Sequence, residues 1–185
     1  TLEHNIPQAV LYEDVLSYFS QTKVAYTPTL VVTYGGLAGD PYWRHATDVW
    51  THPILSKHVP PHILQPANIR RTKAPEEDFV DRVSARESKK LADRGVMVSI
   101  GAHGQEEGLG SHWEMWSFVR GGMSPLEALK AATATPATAL GYIKDIGTLE
   151  AGKLADLVIL NADPLADIAN TDDIDSVMLG GRLYD

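Results

Sequence analysis

Two histidines follow segments with strand character, which is where side chains of α/β proteins often carry chemistry. His4 follows Leu2 and Glu3, and His103 follows the apolar run 96–100. Functional side chains of parallel α/β proteins lie just past the carboxyl ends of strands, so both imidazoles are predicted to point into the mouth of a barrel or sheet. An imidazole can bind a metal or act as a base near neutral pH. A structural histidine, hydrogen-bonded to a carbonyl, is an equally good interpretation when either residue is taken alone.

The loop that carries His103 is rich in glycine and polar side chains. Its glycines are Gly101, Gly104, Gly108 and Gly110. Glycine has no Cβ atom, so these positions let the backbone approach a ligand closely. Gln105 and His112 are therefore predicted substrate contacts, together with Tyr34 at the end of another predicted strand. Ser111 and Glu114 have the spacing of a capping box, so Glu114 is predicted to cap a helix that begins at His112.

The elements that must position these residues alternate between helix and strand patterns. The spacing of apolar residues predicts a short helix over 14–19. A β-branched and aromatic composition predicts a strand over 24–34, in which Pro28 favours a strand end or bulge. Pro75 and the acidic residues after it predict a helix that ends at Gly95. The apolar run 96–100 then predicts a parallel strand buried on both faces, so the chain is assigned to the α/β class.

Residues 37–75 show little periodicity and contain many tryptophans, histidines and prolines. Long segments without regular structure are often lids or binding loops, so this segment is predicted to be a long loop or lid. An ordered surface excursion whose indole rings pack against the body explains the same composition equally well.

The C-terminal part of the sequence changes from helix to strand signals. Ser124 and Glu127 form a second capping pattern, with Pro125 at the first helical position. From residue 147 onward the pattern predicts strands, ending in a hairpin over 177–184 around a Gly-Gly turn. Asp156 interrupts an apolar strand and is predicted to hydrogen-bond backbone groups.

The composition excludes several classes of function. The 185 residues are 44% hydrophobic and 22% charged, which is typical of a globular protein. The formal net charge of -8 argues against a nucleic-acid partner. The chain has no cysteine, which excludes disulfides and thiolate chemistry. No apolar run approaches the ~20 residues of a membrane helix, so no membrane partner is predicted. The chain begins at Thr1 without a polar lead-in, and we expect it to begin in the middle of a fold.

The C-terminal third resembles the signature of the metal-dependent amidohydrolase superfamily. The residues that carry this resemblance are PLEALKAATATPATAL, GTLEAGKLADLVIL and VMLGGRLYD. The segment GAHGQEEGLGSHWEMWSFVRGGM is most similar to amidohydrolase domains attached to TolB-like propellers. The resemblance extends over essentially the whole chain and is strongest from about residue 95 onward.

This resemblance implies a fold and a set of metal ligands. Residues 1–146 would form the closing part of a (β/α)8 TIM-type barrel, about strands 6–8, and 147–185 would form part of a small β-sandwich. Family members hold one or two divalent metals, here predicted to be zinc, at the barrel mouth. His4 matches the ligand after the sixth strand. His103 stands where the family has Asp after the eighth strand, so it is predicted to be a replacement metal ligand and catalytic base.

The function implied is hydrolysis of carbon-nitrogen bonds in an amide, cyclic amide or peptide by a metal-activated hydroxide. The other ligands of such a centre are absent from this chain, so the chain alone is predicted to be inactive. Its open strand edges are expected to be covered by the remaining part of the same barrel or by a homo-oligomeric partner. One alternative is a non-catalytic binding or scaffold domain, because His103 replaces the expected Asp. A second alternative is an α/β binding domain whose Trp- and His-rich loop closes over a small ligand.

Overall fold

The computed structural model describes residues 1–7 and 10–184, and its N-terminal half is built around three parallel segments. Strand β1 (Leu2–Glu3) pairs in parallel with β2 (Tyr26–Thr27). The segment 96–100 pairs with β2 through a parallel bridge between Tyr26 and Val98. The backbone N–H of Tyr26 donates to the carbonyl of Met97 at 2.8 Å. Helices connect these segments, so the predicted mixed α/β class is confirmed, but the described residues form no closed barrel.

Strand β2 is much shorter than the predicted strand 24–34. It ends at Thr27, and the buried Pro28 that follows has no N–H to continue the ladder. Thr29 then adopts a left-handed conformation with φ of 54°, and Leu30–Val32 form a 3-10 turn. The prediction of a strand end at Pro28 is confirmed, whereas the predicted strand beyond it is wrong.

The segment 37–75, predicted to be a long loop, is largely helical. It contains α2 (Gly39–Ala46), a 3-10 turn at Val49–Thr51, α3 (Leu55–His58) and α4 (Pro61–Ile69). Pro41 and Pro61, two of the prolines that suggested a loop, lie in the first turns of α2 and α4. Backbone N–H groups in a first helical turn have no partner within the helix, so the missing N–H of proline is tolerated there. The indole ring of Trp43 packs against that of Trp116, with ring centroids 5.3 Å apart, and its Nε1 donates to Ser117 Oγ at 2.8 Å. A lid function for this segment stays a prediction.

Two long helices form the centre of the core. Helix α5 (Asp81–Asp93) begins later than Pro75, after a 3-10 turn at Glu76–Asp78, and ends before Gly95 with φ of 83°. Helix α6 (Gly110–Arg120) is buried on nearly all sides, and its Trp113 and Phe118 have no exposed surface. Burial of each such large side chain contributes about 1.5–3 kcal/mol to folding.

The C-terminal elements follow the sequence predictions more closely. Helix α7 (Pro125–Ala132) begins with the predicted capping box, and α8 (Ala134–Ala139) follows it. Strands β3 (Leu157–Leu160), β4 (Ile174–Leu179) and β5 (Arg182–Tyr184) form an antiparallel sheet in that order.

Asp156 Oδ1 accepts the N–H of Gly180 at 2.6 Å, as predicted, and so holds the turn between the last two strands. None of the described helices combines the length and apolar character needed to cross a membrane.

Candidate functional site

Backbone strain is concentrated at the carboxyl ends of the three parallel segments. The non-glycine residues with positive φ in the described chain are His4 (69°), Thr29 (54°), Ala102 (55°) and His103 (55°). Each of them follows one of these segments. A left-handed non-glycine residue costs on the order of 1–3 kcal/mol and persists where the surrounding structure enforces it, often at a functional site. The strain therefore identifies this edge as the candidate site.

The structure brings His4 and His103 together at this edge. Their ring centroids are 5.2 Å apart with an angle of 62° between the planes. The His4 Nδ1 atom is buried and has no hydrogen-bond partner among the described residues. A buried polar atom without a partner is unfavourable unless a ligand or ion completes it. The roles of both histidines stay predictions. Their side chains lie close enough together to belong to one site.

Tyr34 lies beside His4, with ring centroids 6.1 Å apart. Its side chain is 55% exposed, and its backbone N–H donates to Asn5 Oδ1 at 3.0 Å. A cavity of about 340 Å³ opens next to the histidine pair and is lined by residues of all three parallel segments. This arrangement leaves room for a small organic molecule within reach of the imidazoles.

Gly101 allows two of the parallel segments to approach each other. A Cβ atom at this position would lie 2.2 Å from Thr29 Oγ1 and 2.8 Å from Thr29 Cα. The close approach made possible by this glycine is thus to Thr29 rather than to a ligand. Gly104 and Gly108 have φ of 73° and 90°, so they serve the turns of the loop.

Glu114 has a different role from the predicted helix cap. Helix α6 begins at Gly110 without a side-chain cap, and Glu114 lies inside it with no exposed surface. Its carboxylate accepts the N–H of Val31 at 2.8 Å and the N–H of Gly101 at 3.4 Å. Burial raises the pKa of Glu114 to about 7. The side chain joins the turn after β2 to the backbone that leads into His103.

Arg44 is a second site-supporting residue that the sequence interpretation missed. It is 8% exposed and pairs through Nη1 with Glu106 Oε2 at 2.5 Å. Its Nη2 donates to the carbonyl of Gln105 at 2.7 Å. The i, i+4 spacing of Asp40 and Arg44, which pair at 2.7 Å, was the only signal in the sequence.

The predicted substrate contacts Gln105 and His112 lie in different surroundings. Gln105 is exposed, and its Oε1 lies 3.0 Å from His103 Nδ1, so it contacts the histidine pair. His112 lies within helix α6 and packs against Trp116, with ring centroids 6.5 Å apart. Burial lowers the pKa of His112, and the carboxylate of Asp172 opposes this effect. No ring contact or hydrogen bond joins His112 to His4 or His103 in the described residues.

The donor chemistry at this edge fits part of a metal centre. Neutral imidazole nitrogens are common zinc ligands, and a complete protein site usually has three or four ligands. His4 and His103 would supply two of them, with the unpartnered Nδ1 of His4 as one donor. The described residues contain no group of three or more His, Asp or Glu placed to hold a metal ion. The pair is thus compatible with a partial ligand set.

Comparison with known proteins gives this site a family context. The profile of the amidohydrolase family matches residues 52–184. The imidazolonepropionase of Thermoplasma acidophilum is 38% identical over 79 residues, covering 41% of this chain and 19% of that protein. The ochratoxinase of Aspergillus niger is 34% identical over 94 residues, covering 49% of this chain and 20% of that protein.

A solved structure resembles nearly the whole chain. A Xaa-Pro dipeptidase with methionine bound in its active site superposes with a TM-score of 0.64 and 21% identity. The match covers 97% of this chain and 39% of that protein, so the chain spans well under half the length of the proteins it resembles. The similarity of fold also covers residues before residue 52, where the profile match begins. On the profile match, the chain belongs to the amidohydrolase family.

Proposed function

We propose that this chain forms the closing part of a (β/α)8 barrel in a metal-dependent hydrolase that acts on carbon-nitrogen bonds. The observation that carries the proposal is the His4–His103 pair, with rings 5.2 Å apart at the strained carboxyl ends of parallel segments. Family membership supports the reaction class, as do relatives that include an imidazolonepropionase and a Xaa-Pro dipeptidase. Amides, cyclic amides and peptides are the proposed substrate classes.

The two histidines have distinct proposed roles. His4 would ligate the cation through its buried Nδ1, which has no other partner among the described residues. His103 is exposed and would act as a ligand or would accept a proton from the attacking water. When bound, a divalent cation such as zinc supplies Lewis-acid polarisation of the scissile carbonyl and lowers the pKa of water. Tyr34, whose ring lies beside that of His4, would contact a substrate held there.

Metal binding by the intact protein that contains this chain tests the proposed roles. Cobalt(II), whose absorption reports imidazole ligation, is titrated into the wild-type protein and into its His4→Ala and His103→Ala variants. Each substitution is expected to weaken binding by at least about tenfold, because each removes one direct donor. His58→Ala, at an exposed histidine elsewhere, is the matched control and is expected to bind as the wild type does. Equal affinity in all four proteins would refute the assignment.

The non-catalytic alternative rests on one observation, an imidazole at the position where the family pattern has a carboxylate. An imidazole cannot carry the negative charge of that carboxylate. Turnover in the intact protein separates the two functions. We expect zinc-dependent release of amine from Xaa-Pro dipeptides or N-acyl amino acids, lost in His103→Ala. Binding of these compounds without turnover at saturating zinc would favour the binding or scaffold domain.

A further inference from the structure

The loop that carries His103 is anchored at both ends by buried charged side chains. At its start, Glu114 accepts the N–H of Gly101 at 3.4 Å. Beyond His103, Arg44 pairs with Glu106 and donates to the carbonyl of Gln105 at 2.7 Å. The conformation of the loop is therefore set by helices α2 and α6.

Arg44 is itself held rigidly. Its Nε pairs with Asp40 Oδ1 at 2.7 Å within helix α2, and its Nη1 donates to Asn68 Oδ1 of helix α4 at 2.9 Å. A guanidinium with several fixed acceptors presents its remaining donors in a defined geometry. The backbone of Gln105 is thus tied to the packed segment formed by α2 and α4.

The side chain of Gln105, whose backbone is held in this way, contacts His103. Its Oε1 lies 3.0 Å from His103 Nδ1. An amide oxygen only accepts hydrogen bonds, so the neutral imidazole must carry its proton on Nδ1 to make this contact. The lone pair is then on Nε2, which no described residue hydrogen-bonds.

We propose that Gln105, positioned by Arg44, fixes His103 in the Nδ1–H tautomer and so makes Nε2 the nitrogen available for a cation or a proton. The role of Nε2 in binding a cation or a proton rests on the proposed function. The inference assigns Gln105 and Arg44 as positioning residues, and a substrate contact at Gln105 stays a prediction. A partner on the far nitrogen of a histidine commonly sets which ring nitrogen acts.

The tautomer can be measured without metal or substrate. Long-range ¹H–¹⁵N correlation spectra of the histidine-labelled 185-residue chain, recorded in mildly alkaline buffer, distinguish Nδ1–H from Nε2–H rings. His103→Ala assigns the signals. Gln105→Met removes the acceptor at an exposed position, and Gln105→Glu keeps an acceptor there. Arg44→Lys and Glu106→Gln loosen the anchor, and Arg120→Lys is the matched control, because Arg120 pairs with buried Asp81 and has no contact with the loop.

In the wild type the Nδ1–H form of His103 is expected to predominate. The tautomer ratio is expected to shift about fivefold toward Nε2–H in Gln105→Met, the change that one ordinary hydrogen bond supplies. Arg44→Lys and Glu106→Gln are expected to shift it in the same direction. Gln105→Glu is expected to favour Nδ1–H at least as strongly as the wild type, because a carboxylate is the stronger acceptor, and Arg120→Lys is expected to keep the wild-type ratio. A predominant Nε2–H form in the wild type, or no shift in Gln105→Met, would overturn the proposal. No shift in either anchor variant would overturn the part played by Arg44.

The cobalt titration keeps the two proposals separable. If the tautomer responds as expected but cobalt affinity does not depend on His103, the positioning stands and the proposed metal role fails. If cobalt affinity depends on His103 but the tautomer does not respond to Gln105, the metal role stands and the positioning fails.

Discussion

At the residue scale, buried charged side chains join segments around the site that lie far apart in sequence. Glu114 and Val31 are 83 positions apart, and Arg44 and Gln105 are 61 positions apart. Contacts between such distant residues cannot be predicted from the spacing of neighbouring residues. For Glu114, the local S-x-x-E pattern predicted a helix cap instead. The two histidines were found from sequence because their signal is local, a histidine directly after a strand pattern.

Glu114 should make the stability of the chain depend on pH. Its pKa rises from 4.5 to about 7 on folding, so the folded state binds the proton more tightly than the unfolded state. This stabilisation is complete below the unfolded value and is lost as pH rises through the folded value. Relative to Glu114→Gln, the wild-type free energy of unfolding is expected to fall by on the order of 3 kcal/mol between about pH 4.5 and about pH 8.

Urea unfolding of both proteins across this pH range measures the effect. Glu107→Gln, at an exposed residue of the same region, is the control and is expected to give a flat difference. A flat difference for Glu114→Gln as well would show that the buried carboxyl does not hold its proton in the folded state.

At the element scale, a helix or strand was predicted correctly where neighbouring residues alone determine it. The C-terminal hairpin was predicted because its turn residues and strand pattern lie together. The strand predicted over 24–34 stopped at Thr27, because Pro28 cannot continue the ladder and Thr29 turns the chain. The helices of 37–75 were missed because their apolar faces are short and their prolines resemble loop signals.

The two S-x-x-E patterns provide a matched test of helix capping. Ser124 accepts the N–H of Glu127 at 3.3 Å, and Glu127 accepts the N–H of Ser124 at 2.7 Å, so this box is formed. Ser111 is exposed and lies inside helix α6 without a capping bond. Ser124→Ala is expected to lower the free energy of unfolding by about 1 kcal/mol. Ser111→Ala is expected to change it by less than about 0.5 kcal/mol, and equal losses in urea unfolding would contradict the structure.

The contact between Gly101 and Thr29 predicts that alanine substitutions at Gly101 and Gly104 differ in their effects. Gly101→Ala would place a methyl group 2.8 Å from Thr29 Cα, which forces the two parallel segments apart. Overpacking of this kind costs about 1–3 kcal/mol and is expected to weaken cobalt binding by displacing His103. Gly104→Ala meets open space but has φ of 73°, so only a conformational cost of about 1 kcal/mol is expected. If Gly101→Ala left both stability and cobalt affinity unchanged, the close packing would be disproved.

At the scale of the whole molecule, the core and the C-terminal sheet differ in how well they are covered. Helix α6 is enclosed, and its Trp116 Nε1 donates to Thr171 Oγ1 at 3.0 Å, which ties the core to the segment before β4. In contrast, the register of β3–β5 places Val158, Val177 and Tyr184 opposite one another on one face. These side chains are 53%, 38% and 47% exposed. An apolar strip of this kind is typical of a surface that another polypeptide covers.

We therefore expect the chain to associate through this sheet face when nothing else covers it. Light scattering coupled to size-exclusion chromatography should give a mass that rises with concentration. Val158→Lys with Val177→Lys should lower that mass toward the monomer, because two adjacent charges oppose burial of the strip. Leu149→Lys, at a residue that is 82% exposed and outside the sheet, is the control and should leave association unchanged. A mass fixed at the monomer value at every concentration would show that the strip is stable in water. The expectation that a second copy covers this sheet face would then fail.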